Sequence, residues 1–198
     1  YRPDLMAIIA VGDFDQGMIE AKIKERFSDL KGPGDPPKRV QYPVPGHKET
    51  LVTIATDPEL PVTAVSILKK LPKMPQGTAA AYRIYLLHQL YHSMLNARLD
   101  ELRQEADAPF RFAASQSDYS SVRTADLLTR IVMVKQDQID RGVTALLKES
   151  ERVAKNGFLD SELERSKKEL LRAYQSSSTE KAKKPSRVYA SEMLRHFL

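Results

Sequence analysis

From about residue 76 to residue 103 runs the longest helical pattern in the chain, and any fold open to this sequence must cover its apolar face. At 100° per residue Ala81, Ile84, Tyr85, Tyr91, Leu95, Leu99 and Leu102 form one broad stripe. Short strand-like runs stand on both sides of it. Residues 49–56 and 62–68 alternate β-branched and other side chains, with an Asp57-Pro58 turn signal between them and Pro72 and Pro75 after them. Beyond Asp107-Ala108-Pro109, residues 110–114 and 127–134 read as two more strands joined through a polar stretch. Asp137 is placed to cap a helix with Ile139, Val143, Leu146, Leu147 and Val153 inward, ended at Asn156-Gly157. Ser161-Glu162-Leu163-Glu164 has the capping-box pattern of another helix, which Ser176-Ser177-Ser178 weakens, and Pro185 starts a last one. Strands in pairs with helices between and after the pairs predict an α+β two-layer sandwich. Its sheet is mixed and mostly antiparallel, covered by helices on one face. A doubly wound parallel sheet would need strict alternation, and no glycine-rich phosphate loop is present.

The first thirty residues read as a separate β–α unit. Residues 5–11 are a continuous apolar run stopped by Gly12, the pattern of a strand buried on both faces. Asp15 then caps a helix carrying Ile19, Ile23, Phe27 and Leu30, with Phe14 able to staple onto its first turn. Pro33, Pro36, Pro37, Pro43 and Pro45 follow, a stretch that cannot sustain a helix. The expected division is a terminal unit over 1–31, a linker over 32–48 and the main α+β domain over 49–198. A start at Tyr1 and an end in a helical pattern give the chain the look of a segment.

Composition removes several function classes. With no cysteine there are no disulfides, thiolate metal sites or cysteine nucleophile. The net charge of +5 is spread through interleaved acids and bases. Lys181, Lys183, Lys184 and Arg187 make the one denser patch, without aromatic platforms, so no nucleic-acid partner is expected. No apolar run is long enough to span a membrane, so no membrane partner is expected either.

His88 and His92 carry the one pattern with metal chemistry in it. Four positions apart on a helix, both can reach one ion. The plainer reading, and the preferred one, is a pair of half-buried helix histidines satisfied by polar neighbours. Tyr91 precedes the second histidine, and a phenol with a reference pKa of about 10 is no general base at neutral pH.

Several motifs in order resemble the pitrilysin/insulinase family of zinc metallopeptidases. Tyr1-Arg2-Pro3-Asp4-Leu5-Met6 with Val11-Gly12-Asp13 resembles the strand near the end of a catalytic half-repeat, with Leu5 replacing the usual asparagine. Asn96-Ala97-Arg98-Leu99-Asp100-Glu101-Leu102-Arg103 is similar to the S-R-L-x-x-x-L-R signature of the non-catalytic half. The family usually follows it with a glycine and L-A-Y, where Ala108-Pro109-Phe110 stands here. Phe158-Leu159-Asp160-Ser161-Glu162-Leu163 resembles the start of the penultimate helices. The family's zinc motif is H-x-x-E-H, and the corresponding residues here read H-x-x-Y-H. Glu169 stands at about the distance beyond His92 where the family keeps its third ligand.

The resemblance implies a non-catalytic half-repeat that supplies chamber wall and substrate contacts, inactive by itself. The parent would be a zinc-dependent peptidase whose other half holds the zinc. No catalytic or cofactor-binding residue is expected in this chain, and His88, His92 and Glu169 are the candidate metal ligands should one bind. The partners implied are the catalytic half of the same parent and its peptide substrates. Family habit points to a bacterial periplasm. Two alternatives stay open: a metal-binding, non-hydrolytic module on those three residues, and an architectural relative that has lost proteolysis.

Overall fold

The computed structural model describes residues 2–135 and 137–197. The chain divides into two compact units, Gln41–Tyr174 and Tyr1–Val40 with Gln175–Leu198.

The larger unit is built on a three-stranded antiparallel sheet of β1 (Thr63–Pro72), β2 (Phe112–Asp118) and β3 (Ala125–Val134), in the order β1-β3-β2. The central place of β3 follows from its composition, since Ala125, Asp126, Val132 and Val134 are buried and no position along it is exposed. In β1 no residue is buried, and half-buried and exposed positions alternate from Thr63 to Leu68, as an edge strand's do. Register brings Val65 opposite Val132, and Val132 opposite Ala113, so these three side chains share one face. On that face lie α2 (Ala79–Arg103) and α3 (Ile139–Asn156). Leu95 and Leu99 of α2 and Leu146 and Val153 of α3 meet Phe110, Val132 and Val134 there, which makes one core. The expected two-layer α+β sandwich is the architecture found.

Close approach of α3 to the sheet depends on Gly142. A Cβ at that position would stand 2.2 Å from Val134 Cγ1 and 3.1 Å from the Pro109 carbonyl oxygen. α2 opens at Thr78, whose hydroxyl accepts from Ala81 N at 3.1 Å. α3 closes at Gly157, with φ of 71°, whose N–H reaches the Val153 carbonyl at 2.8 Å. α4 (Asp160–Thr179) follows and buries Ser166.

The smaller unit carries α1 (Gln16–Phe27) and α5 (Ser186–Phe197), with 3-10 turns at Pro3–Leu5 and Lys181–Lys183. Asp15 caps α1 as expected, its Oδ1 accepting from Met18 N at 2.6 Å. Neither α1 nor α5 has a buried residue.

Several local expectations are corrected. Residues 5–11 are not a strand: they follow a 3-10 turn, Met6 and Ile8 are about half exposed, and no described residue pairs with them. An apolar run makes a strand only where a ladder partner exists. Residues 49–56 likewise form no strand and have no ladder partner among the described residues. Gln138, not Asp137, stands at the start of α3, and it makes no side-chain cap. α4 begins two residues earlier than the Ser161 pattern suggests: Glu162 Oε2 accepts from Leu159 N at 2.6 Å, the glutamate half of a capping box without its serine. Ser176, Ser177 and Ser178 stay helical. Ile84, Ile139 and Leu147, expected inward, are exposed.

Candidate functional site

Half-way along α2 the helix turns a polar strip onto the sheet. His92 accounts for both ring nitrogens there, Nδ1 lying 3.0 Å from Ser115 Oγ and Nε2 2.8 Å from Ser117 Oγ. Serines two apart on β2 point to the same face, which is why one imidazole spans them. A hydroxyl both donates and accepts, so the pair satisfies either neutral tautomer. Burial pushes the His92 pKa down to about 4, helped by His88 and by the Arg130 guanidinium. The ring is therefore neutral at physiological pH.

His88 makes a different bond. Its Nδ1 lies 2.5 Å from the Tyr119 hydroxyl, and the two rings are nearly parallel with centroids 6.2 Å apart. Tyr91 turns to β3, where its hydroxyl accepts from Arg130 at 3.2 Å. Its ring also meets His92 and Phe158 edge-on, at 5.2 and 5.8 Å. Tyr91 is thus fixed as a packing and hydrogen-bonding group beside a cation.

Glu169 lies elsewhere. It is exposed on α4 in a shallow surface groove with Arg165, Lys168 and Arg172. Among the described residues no three His, Cys, Asp or Glu side chains converge to hold a metal. The donor chemistry points the same way. A zinc-ligating imidazole offers one lone pair and gives its other N–H to an orienting acceptor. His92 would have to release a serine to do so, and a cation would then meet Arg130 nearby. The residues present do not fit a zinc ion.

Two further side chains that sequence reasoning left without a role hold this region. Asn96 brackets Ser115 on the outer edge of β2, Oδ1 accepting from its N–H at 2.7 Å and Nδ2 donating to its carbonyl at 3.1 Å. Arg98, in the same signature, binds Glu162 through Nε at 2.6 Å and Nη2 at 2.7 Å, and Glu149 through Nη1 at 3.2 Å. Its guanidinium carbon also stands 5.1 Å from the centre of the Phe158 ring. Arg98 lowers the Glu162 pKa to about 2. The signal for Asn96 is a polar residue in an otherwise apolar helical stripe; Ser115 and Ser117 fall in the polar stretch expected to be a connection, and β2 instead runs on through it to Asp118.

Beyond His88 the face of α2 continues into an aromatic groove of about 470 Å³. Tyr82, Tyr85 and Tyr119 line it with Met74 and Pro75. Tyr82 stacks on Tyr85 at 6.1 Å, and Tyr85 meets Tyr119 edge-on at 5.7 Å.

Comparison with known proteins agrees with this arrangement. The model of the peptidase M16 inactive domain matches residues 1–170. A zinc protease PQQL-like protein of Arabidopsis thaliana is 36% identical over 111 residues, which are 56% of this chain and 12% of that protein. Among solved structures, the periplasmic protease PqqL from Escherichia coli superposes with a TM-score of 0.77 at 20% identity, over 92% of this chain and 20% of PqqL. A structure of the first half of PqqL gives 0.76 at 21% identity, over 93% of this chain and 40% of that one. The chain spans a small part of each of these relatives, and by the family match along most of its length it belongs to the inactive-domain family of the M16, pitrilysin/insulinase-type peptidases.

Proposed function

We propose that this chain is a non-catalytic structural and substrate-enclosing domain of a zinc-dependent peptidase and hydrolyses nothing by itself. One observation carries the reading: both nitrogens of His92 are engaged by Ser115 and Ser117. The helix that would bear zinc in a catalytic half here serves to hold the sheet. Tyr91, in place of the base, is tied to Arg130. The aromatic groove of Tyr82, Tyr85 and Tyr119 gives the wall a surface suited to apolar side chains of an extended peptide. The zinc, the water it activates and the glutamate base belong to the other half of the parent. A periplasmic setting is proposed in keeping with the structural neighbour described as periplasmic.

A peptide-cleavage assay on the chain with added zinc tests the reading. No turnover is expected, for the wild type or for Tyr91→Glu, because a carboxylate at position 91 would pair with Arg130. Zinc-dependent turnover abolished by a chelator would overturn it. Calorimetry with zinc addresses the metal-module alternative. No micromolar binding is expected, and binding lost in His88→Ala would favour that alternative.

A further inference from the structure

Arg130 is a cation without a counterion. It lies in the middle strand, opposite Ile67 of β1 and Ser115 of β2, on the same face as Val132. Its Nη2 donates to the Tyr91 hydroxyl at 3.2 Å, while Nε is enclosed and meets no hydrogen-bond acceptor. The buried acids of the larger unit are taken elsewhere among the described residues. Asp126 is held by Lys73 and by Met74 N, each at 2.8 Å, and Glu149 and Glu162 by Arg98. A guanidinium stripped of water on one side and left unpaired raises the free energy of the fold. The residue as a whole is half-buried, so its remaining donors stay within reach of a ligand.

Tyr91 adds a second donor. Its oxygen accepts from Arg130, which leaves the phenolic proton to be given to another group. An uncovered apolar surface lies beside the pair. Phe158, just past the end of α3, packs on Tyr91, and one and two turns back along α2 Leu87 and Ile84 stand 53% and 43% exposed. Ile84 is two helical turns from Tyr91 and shares its face. The charge that keeps a metal ion away from His92 is the one that attracts an anion.

We infer that Arg130 and Tyr91 form a carboxylate-binding site, which takes an acidic side chain or the C-terminal carboxylate of an extended peptide. That the carboxylate comes from a peptide rests on the substrate-enclosing role proposed above. The guanidinium fork matches the two oxygens of a carboxylate, and the Tyr91 hydroxyl gives one of them a further hydrogen bond. The rise along α2 from Tyr91 to Leu87 is about 6 Å, close to the roughly 6.7 Å between alternate residues of an extended peptide. The apolar side chain that covers Leu87 and Ile84 is therefore the one two positions from the carboxylate. Occupation neutralises Arg130 and buries both exposed residues of α2.

Calorimetry on the full chain with three probes tests the site. They are acetyl-leucyl-alanyl-glutamyl-alanyl-leucine amide, its glutamine analogue, and acetyl-leucyl-alanyl-alanine with a free C-terminal carboxylate. At least one carboxylate probe is expected to bind about tenfold more tightly than the glutamine analogue, and which one does so identifies the source. Arg130→Gln should remove the preference. Tyr91→Phe, which keeps a ring against Phe158, should reduce it about threefold. Should Arg130→Gln fail to fold, Tyr91→Glu gives the same readout, because its own carboxylate takes the guanidinium and the preference is lost. Equal binding of the glutamate and glutamine peptides without a gain for the free C-terminus would overturn the site. So would no binding of any probe at millimolar concentration, or a preference that survives in the variants. Hydrolysis of a probe would overturn the non-catalytic role instead, so the two readings fail separately.

Discussion

His92 is the residue at which folding and lost chemistry meet. Its folded pKa of about 4 lies below the ordinary 6.5, so between these values the unfolded chain binds the proton that the folded chain refuses. The stability it supports is complete above about pH 6.5 and declines as the pH falls towards 4. Thermal melts at pH 7 and pH 4.5 should show a drop in the wild type that is smaller in His92→Gln, which cannot take up the proton. An equal drop in both would remove His92 from the acid response. Arg98 is the second residue of this kind. Its side chain and those of Glu149 and Glu162 are 14%, 7% and 12% exposed, so Arg98→Ala takes the buried cation from two carboxylates in a dry setting and leaves Glu149 the exposed Arg152 at 3.6 Å and Glu162 the Leu159 N–H. A loss of about 3 kcal/mol in chemical denaturation is expected. Arg98→Lys should recover little, since an ammonium cannot reproduce the two parallel bonds to Glu162.

Among the elements, α3 is placed by the absence of a side chain. Gly142→Ala should cost about 1–3 kcal/mol by forcing the helix away from Val134 and Pro109, and Val134→Ala in the same chain should recover part of it. Denaturant midpoints of the single and double variants would check this, and an unchanged midpoint for Gly142→Ala would refute the close fit. Which elements the sequence discloses follows the same physics. β1, α2 and β3 are legible because their periodicity coincides with a real apolar neighbour. Residues 5–11 and 49–56 carry the pattern of strands, yet pattern reports what could be buried, not whether a ladder is present. Ser176, Ser177 and Ser178 run the other way: poor helix formers remain helical because α4 continues through them. The candidate site was legible as far as His88, His92 and the tyrosine between them. Ser115, Ser117 and Arg130 were not, because nothing in a linear sequence reports which strand face lies under which helix turn.

For the whole molecule, burial is concentrated in one unit. Every core residue lies within Gln41–Tyr174, while α1 and α5 bury none. A chain limited to residues 41–174 should therefore fold cooperatively, with a circular-dichroism melting midpoint within a few degrees of the full chain. A non-cooperative melt would show that residues outside it are needed.

The pairing of β1 with β3 also sets an order in time. α2, β2 and β3 follow one another closely and are tied by Asn96 and His92, so these contacts close short loops and form early. β1 is synthesised before any of them, and Thr63 has no partner until Val134 leaves the ribosome. Through that interval Val65 and Ile67 wait in the open, with residues 5–11 and 49–56 the other strand-like segments yet made. A chain stalled before β3 is the form of this protein most exposed to aggregation.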